Sequence, residues 1–154
     1  MPRSKDPKIN RLARLPLFRA CHQDELRWIA SVAEEVEVPA GRVLAMQGSH
    51  AREFLMLTEG RAAIYVDGMK TGDLTMCDRV GETELLTARP ALGSVIATTP
   101  CRLIAVEARR FEALVERIPT VSRQLLREHA LRGVRSMHDG ALATVLPLRA
   151  RLQM

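Results

Sequence analysis

The residues that could do chemistry fall in one run: Gly81-Glu82-Thr83-Glu84-Leu85-Leu86-Thr87-Ala88-Arg89-Pro90-Ala91-Leu92-Gly93-Ser94-Val95-Ile96-Ala97. A glycine and an acid open a short apolar turn, and a proline loop then feeds a β-type run. Read physically, a short helix sits between two strands and its first amides face an anion. Glu82, at the start of that helix, is placed to accept hydrogen bonds from hydroxyl groups. These are the parts of a sugar-phosphate pocket, a binding site rather than a catalytic one. The candidate ligand-binding residues are Gly81, Glu82, Thr83, Arg89, Ala91, Gly93 and Ser94. The plainer alternative for Glu82 is an acid that caps its helix.

Other chemistries find no support. Cys21, Cys77 and Cys101 are widely spaced and odd in number, so no disulfide framework is expected. His22, His50, His129 and His138 never stand four residues apart, and there is no C-x-x-C, so no metal site is expected. Cys21 beside His22 reads as packing plus a helix start. No Ser/His/Asp, Cys/His or paired-carboxylate constellation is legible, and the chain is not expected to be an enzyme.

The run must be held by its neighbours, which divide into helix, then short strands, then helix. From Asp24, Leu26, Ile29, Ala30 and Ala33 recur at helical spacing, with Asp24 and Glu25 in the favourable first turn. Pro39-Ala40-Gly41 marks a turn. Then come the β-rich runs Arg42–Met46, Phe54–Thr58, Arg61–Val66, Ser94–Thr99 and Arg102–Val106, punctuated by glycine. Asp67-Gly68 before Met69 is a hairpin signal, because a two-residue primed turn needs positive φ. This spacing of strands argues for a small antiparallel sandwich or barrel. Phe111, Leu114, Val115 and Ile118 form a helical stripe stopped at Pro119. A second helix is expected from about Thr120 to Met137, ended by Asp139-Gly140.

At 154 residues the chain fits one domain with a real core. Its apolar content of 47% and charged content of 27% are ordinary for a globular protein. No apolar stretch approaches the roughly 20 residues that cross a bilayer, so no membrane segment is expected. Met1 to Arg14 is basic and polar, unlike a signal peptide, and the expected location is cytoplasmic. The net charge of +5 is spread out and aromatic content is 3%, so weak attraction to polyanions is favoured over a nucleic-acid function.

The cassette from Gly81 to Ala97 resembles the phosphate-binding cassette of the cyclic-nucleotide-binding domain family, whose pattern is roughly F-G-E-x-A-L-L-x-x-x-P-R-x-A-T-V. Gly81, Glu82, Leu85, Leu86, Pro90 and Val95 match it without a gap. Leu15-Pro16-Leu17-Phe18, Gly41-Arg42-Val43-Leu44, Gln47-Gly48, Leu57 to Gly60 and Phe111 to Leu114 resemble further family segments in the same order. The resemblance implies an α+β fold. A small antiparallel β-barrel or jelly roll (a double-stranded β-helix) is flanked by N-terminal helices and two C-terminal helices. The expected layout is a basic segment 1–14 and the domain at 15–137, with its barrel about 36–107 and C-terminal helices about 108–137. A tail at 138–154 is left unassigned.

The resemblance also implies a ligand, cAMP or cGMP, and no other cofactor. In the family the cassette Glu, here Glu82, accepts from the ribose hydroxyl, and the Arg after Pro pairs with the cyclic phosphate. This sequence has Ala91 at the Arg position, Leu92 where a small polar residue is frequent, and Glu84 in place of a small Ala. Truncating a buried charge partner costs about 2–5 kcal/mol. At about 1.4 kcal/mol per decade, affinity falls by tens to thousands of fold. Arg89 either swings across Pro90 to replace the missing charge or is a solvated loop arginine.

The expected function is therefore a regulatory domain of this type that senses a cyclic nucleotide or related small anion weakly if at all. The alternative is an interaction module that kept the fold and lost the ligand. Too few residues follow Met137 for the helix-turn-helix that relatives carry, so no DNA reader is expected. In the family the helix after the barrel pairs two subunits, and Leu126, Ala130, Val134 and Met137 resemble such a seam. A homodimer is expected, or a separate protein partner.

Overall fold

The computed structural model of the chain describes residues 4–128. An N-terminal helical layer comes first: α1 (Pro7–Ala13), a 3-10 turn (Pro16–Phe18) and α2 (Gln23–Val32). Asp6 caps α1 by accepting from the Lys8 amide at 2.9 Å. The Lys8 ammonium in turn donates to the carbonyls of Ala30 and Ala33, at 2.7 and 2.6 Å, neutralising the negative end of α2. At the other end of α2, the amide of His22 donates to Glu25 at 2.8 Å, so the His22 region does start a helix. Cys21 is fully buried there, and desolvation with the Glu25 charge pushes its thiol up to about 11.

Eight strands follow: β1 (Ala33–Val38), β2 (Val43–Ala45), β3 (Glu53–Glu59), β4 (Ala62–Val66), β5 (Met69–Leu74), β6 (Arg79–Val80), β7 (Ser94–Ala97) and β8 (Cys101–Glu107). The helix α3 (Glu82–Thr87) separates β6 from β7. The strands form two four-stranded antiparallel sheets, ordered β1-β8-β3-β6 and β2-β7-β4-β5. The expected α+β jelly roll is present, but as two open sheets facing each other rather than a closed barrel. The first strand begins at Ala33, directly off α2, where the helix had been expected to extend. Its sequence Ala-Glu-Glu-Val-Glu-Val suits an exposed edge, where carboxylates discourage further pairing.

The hairpin expected at Asp67-Gly68 joins β4 to β5, with Val66 opposite Met69. Asp67 has φ 52° and Gly68 φ 80°, the positive pair that a primed turn demands.

Strands β3 and β8 lie side by side in the centre of one sheet and are buried on both faces. Leu55, Leu57, Leu103 and Ala105 point between the sheets, with Ile64, Val95 and Ala97 from the second sheet. Phe54, Met56, Ile104 and Val106 point the other way, onto the helices. Two helical segments cover that outer face: α4 (Ala108–Arg117) and α5, described over residues 119–128. From them come Phe111, Leu114, Ile118, Val121 and Leu125, with Leu26 and Ile29 from α2. Phe111 stacks on Phe54 with ring centroids 4.7 Å apart and planes 13° from parallel. The break between α4 and α5 falls at Ile118-Pro119, as the proline required. No helix among the described residues is long and apolar enough to cross a membrane.

Because Phe111 is 1% exposed and fills the joint between α4 and β3, Phe111→Ala is expected to cost about 3–5 kcal/mol. Val43→Ala, at a position 44% exposed, should cost far less. Urea unfolding of the two variants against the parent checks the difference.

Candidate functional site

The cassette is anchored to the doubly buried strand β3. Gly81 caps α3 with φ 94°, and a Cβ there would sit 2.5 Å from the Glu53 carbonyl oxygen. Only glycine lets the chain turn this close to β3. At the other end of α3, Ala88 turns through the left-handed region at φ 56°, and the Arg89 amide donates to the Glu84 carbonyl at 3.2 Å. The loop that follows is pinned by backbone. The Gly48 amide donates to the Ala91 carbonyl at 2.8 Å and the Ala91 amide to the Ser49 carbonyl at 2.9 Å. The Gln47 amide donates to the Ser94 hydroxyl oxygen at 2.9 Å. The Gln47 side chain closes a reciprocal pair with Asp67, Nε2 to Oδ1 at 2.8 Å and the Asp67 amide to Oε1 at 2.9 Å. Thus the β2–β3 loop is held between the cassette loop and the β4–β5 hairpin.

A cavity of about 260 Å³ lies between these segments. Its wall comes from β2 and the β2–β3 loop on one side, and from Gly81, Glu84 and Ala91 on the other. Charged groups on the wall are Arg52, Glu53 and Glu84, with His50 beside them. Glu84 is only 6% exposed, so its carboxylate stands inside the protein.

Glu82 occupies a different environment. It is 4% exposed, and its Oε1 lies 2.5 Å from Nε of Arg79 on β6, itself buried. The Arg79 Nη2 group donates to Glu128 on α5. One buried guanidinium therefore touches the cassette acid and the C-terminal helix together. Breaking such a buried set by removing one partner is costly, because it strands a charge away from water.

Of the residues singled out from sequence, Gly81 and Ala91 line the cavity. Glu82 is turned to Arg79, and Thr83 is half-buried, its carbonyl accepting from the Thr87 hydroxyl at 2.7 Å. Gly93 is buried against Tyr65 and Val66 of β4, and Ser94 is half-buried at the start of β7. Arg89 is exposed on the loop, outside the cavity wall. Of the seam on the last helix, Leu126 is 66% exposed, while Ala130, Val134 and Met137 lie outside the described residues. Among the described residues no group of three His, Cys, Asp or Glu could hold a metal ion.

Sequence reading missed His50, Arg52 and Glu53 as wall residues, since nothing in an ordinary loop marks them. It also missed Arg79, whose place between Asp78 and Val80 gives no sign of its ion pair with Glu82. Glu128 carries no signal at all, because its partner is 49 positions away.

Comparison with known proteins bears on this geometry. Residues 35–118 match the family model described as the cyclic nucleotide-binding domain. The fold is similar to that of the Thermus thermophilus catabolite activator protein, with TM-score 0.73 and 22% identity over 84% of this chain and 63% of that one. The regulatory domain of Toxoplasma gondii protein kinase A, co-crystallised with cAMP, gives TM-score 0.69 and 20% identity over 80% of this chain and 48% of that one. The regulatory subunit of a cAMP-independent protein kinase A from Trypanosoma brucei gives TM-score 0.70 and 21% identity, over 79% of this chain and 46% of that one. That last structure is a mutant bound to cAMP in its A site. In it a glutamate is changed to alanine, a threonine seven positions on to arginine, and the valine after that to alanine. This chain spans less than two thirds of the length of each of these three proteins.

The contact of residue 81 with β3 gives a direct test of the anchor. Gly81→Ala has to relieve both the positive φ and the approach to Glu53, and is expected to lose about 1–3 kcal/mol in urea unfolding. Hydrogen exchange should show the largest acceleration in residues 81–93, with β8 speeding only by the global loss.

Proposed function

The chain belongs to the cyclic nucleotide-binding domain family, and from that membership we propose that it is a regulatory, non-catalytic domain whose cassette does not hold cAMP as it stands. The observation that carries this reading is the set Glu84, Ala91 and Leu92. The first two of these face one cavity. Ala91 brings no charge to meet a phosphate, and Glu84 brings the wrong one. The same spacing, a glutamate with two further positions seven and eight residues on, is the set altered in the Trypanosoma brucei mutant that holds cAMP. There the replacements were alanine, arginine and alanine. A like-charged carboxylate near a desolvated phosphate costs several kcal/mol on its own. The exposed Arg89 does not offset it. The cytoplasmic setting expected from the sequence belongs to this proposal.

Calorimetric titration of cAMP and cGMP tests the reading. The parent chain is expected to give no heat up to millimolar nucleotide. The triple variant Glu84→Ala, Ala91→Arg, Leu92→Ala is expected to bind cAMP at least a hundredfold more tightly, since each restored or removed charge contributes about 1.5–3 kcal/mol. Micromolar binding by the parent would overturn the proposal.

A second reading, that the domain works through association with a copy of itself, is favoured by Leu126, which stands 66% exposed on α5. Light scattering behind a sizing column checks it. The parent is expected to run as a dimer and Leu126→Glu as a monomer with an unchanged melting temperature. A parent that stays monomeric, or a variant that stays dimeric, removes this reading.

A further inference from the structure

We propose that the cavity between the β2–β3 loop and the cassette is a binding site for a small organic cation, a primary amine on an apolar body, with the Glu84 carboxylate as its counter-ion. The chemistry of the wall carries the inference. At about 260 Å³ the cavity lies just under the usual range of small-molecule pockets, roughly 300–1,000 Å³, and suits a ligand of modest size. Val43, Leu44, Met46, Val80 and Ala91 give it apolar cover. Its buried charge is Glu84, which is 6% exposed. Arg52, Glu53 and His50 also reach the wall, but all three are exposed residues, where water screens them.

A carboxylate kept from water costs free energy, and an ammonium brought into the same space recovers part of it through attraction in a medium less polar than water. One buried acid among apolar neighbours suits an alkylammonium or arylammonium better than a metal ion, which needs several oxygen ligands. The local charge also runs against the whole. The wall sets Glu53 and Glu84 against Arg52, whereas the chain carries +5, so a cation gathered here is drawn by the site and not by the surface at large. The walls are fixed beforehand, by Gly81 against β3 and by the backbone bonds of residue 91 to Gly48 and Ser49, so little ordering opposes binding. Val43 and Met46, 44% and 55% exposed, leave the cavity open to solvent. Glu84 is shared with the proposal on cAMP, on which this one rests in part: the acid that repels a phosphate is the one that attracts an ammonium.

The experiment is a titration of the full chain with benzylamine, and in parallel with benzyl alcohol, followed through the backbone amide resonances. The two probes share a ring and differ in charge. In the parent, benzylamine is expected to saturate shifts at residues 43–53 and 80–91 in the millimolar range, about tenfold or more tighter than benzyl alcohol. Glu84→Gln keeps the shape and is expected to bring the two probes within about threefold of each other. Ala91→Arg sets a guanidinium in the cavity while the bonds of residue 91 stay with its backbone, and is expected to abolish benzylamine binding in a chain that still folds. The proposal is overturned by the absence of a saturable shift at these residues up to tens of millimolar, or by equal binding of both probes to the parent. An amine preference that survives either substitution has the same result. No nucleotide enters this titration. Its failure leaves the cAMP reading intact, and micromolar cAMP binding by the parent would overturn that reading while the amine preference still decided this one.

Discussion

The fold depends on a pair of strands that must be buried on both faces. Leu55 and Leu57 on β3, with Leu103 and Ala105 on β8, need the second sheet. Phe54, Met56, Ile104 and Val106 on the same strands need something else on the opposite side. Neither layer alone removes all of this apolar surface from water, and at about 25 cal/mol per Å² the uncovered face would dominate the stability. The helices from both ends of the chain are thus recruited to one surface. Their arrangement explains why α4 and α5 bend at Pro119, which keeps Ile118 and Val121 on the core side while the axis changes direction.

The site inherits its rigidity from the same pair. Gly81 turns against the Glu53 carbonyl at the beginning of β3, so the start of the cassette is fixed to the best-buried strand. Its far end is fixed by Ser94 on β7, through Gln47. Between those anchors, α3 has only 6 residues and is too short to be stable by itself. It persists because Leu85 packs on the helix-side core and its neighbours are tied by backbone bonds to Gly48 and Ser49.

Much of this was legible in the residues. The runs Phe54–Thr58 and Arg102–Val106 read as strands, and the continuous apolar character at their centres is what a doubly covered strand requires. Asp67-Gly68 announced its hairpin through backbone sterics, which act locally. The cassette was legible from its glycine, acid and proline in order. What escaped was of two kinds. β1 is rich in glutamate and sits on an edge: Ala33 packs on the helix side and Val36 and Val38 on the inter-sheet side, a pattern hidden by Glu34, Glu35 and Glu37. β6 has 2 residues and exists only because β3 offers it a partner. The other kind is pairing across distance. That Arg79 meets Glu128 depends on how α5 crosses the sheet, which no local pattern encodes.

These features separate what the fold needs from what a ligand needs. At position 91 the amide and the carbonyl both pair with the β2–β3 loop, at 2.9 and 2.8 Å, and neither bond involves the side chain. The loop keeps its path whether that side chain is a methyl group or a guanidinium. Leu92 is 45% exposed and likewise contributes little to the core. Residue 84 is different, since burying a carboxylate costs free energy that an alanine would not. A chain shaped only for stability would not place Glu84 on the wall of a cavity. Gly81 and Val95, which the packing does need, retain the pattern of the family, whereas Glu84, Ala91 and Leu92, which depart from it, stand where the fold is indifferent or penalised. The change in the cassette is therefore a change in chemistry at constant architecture.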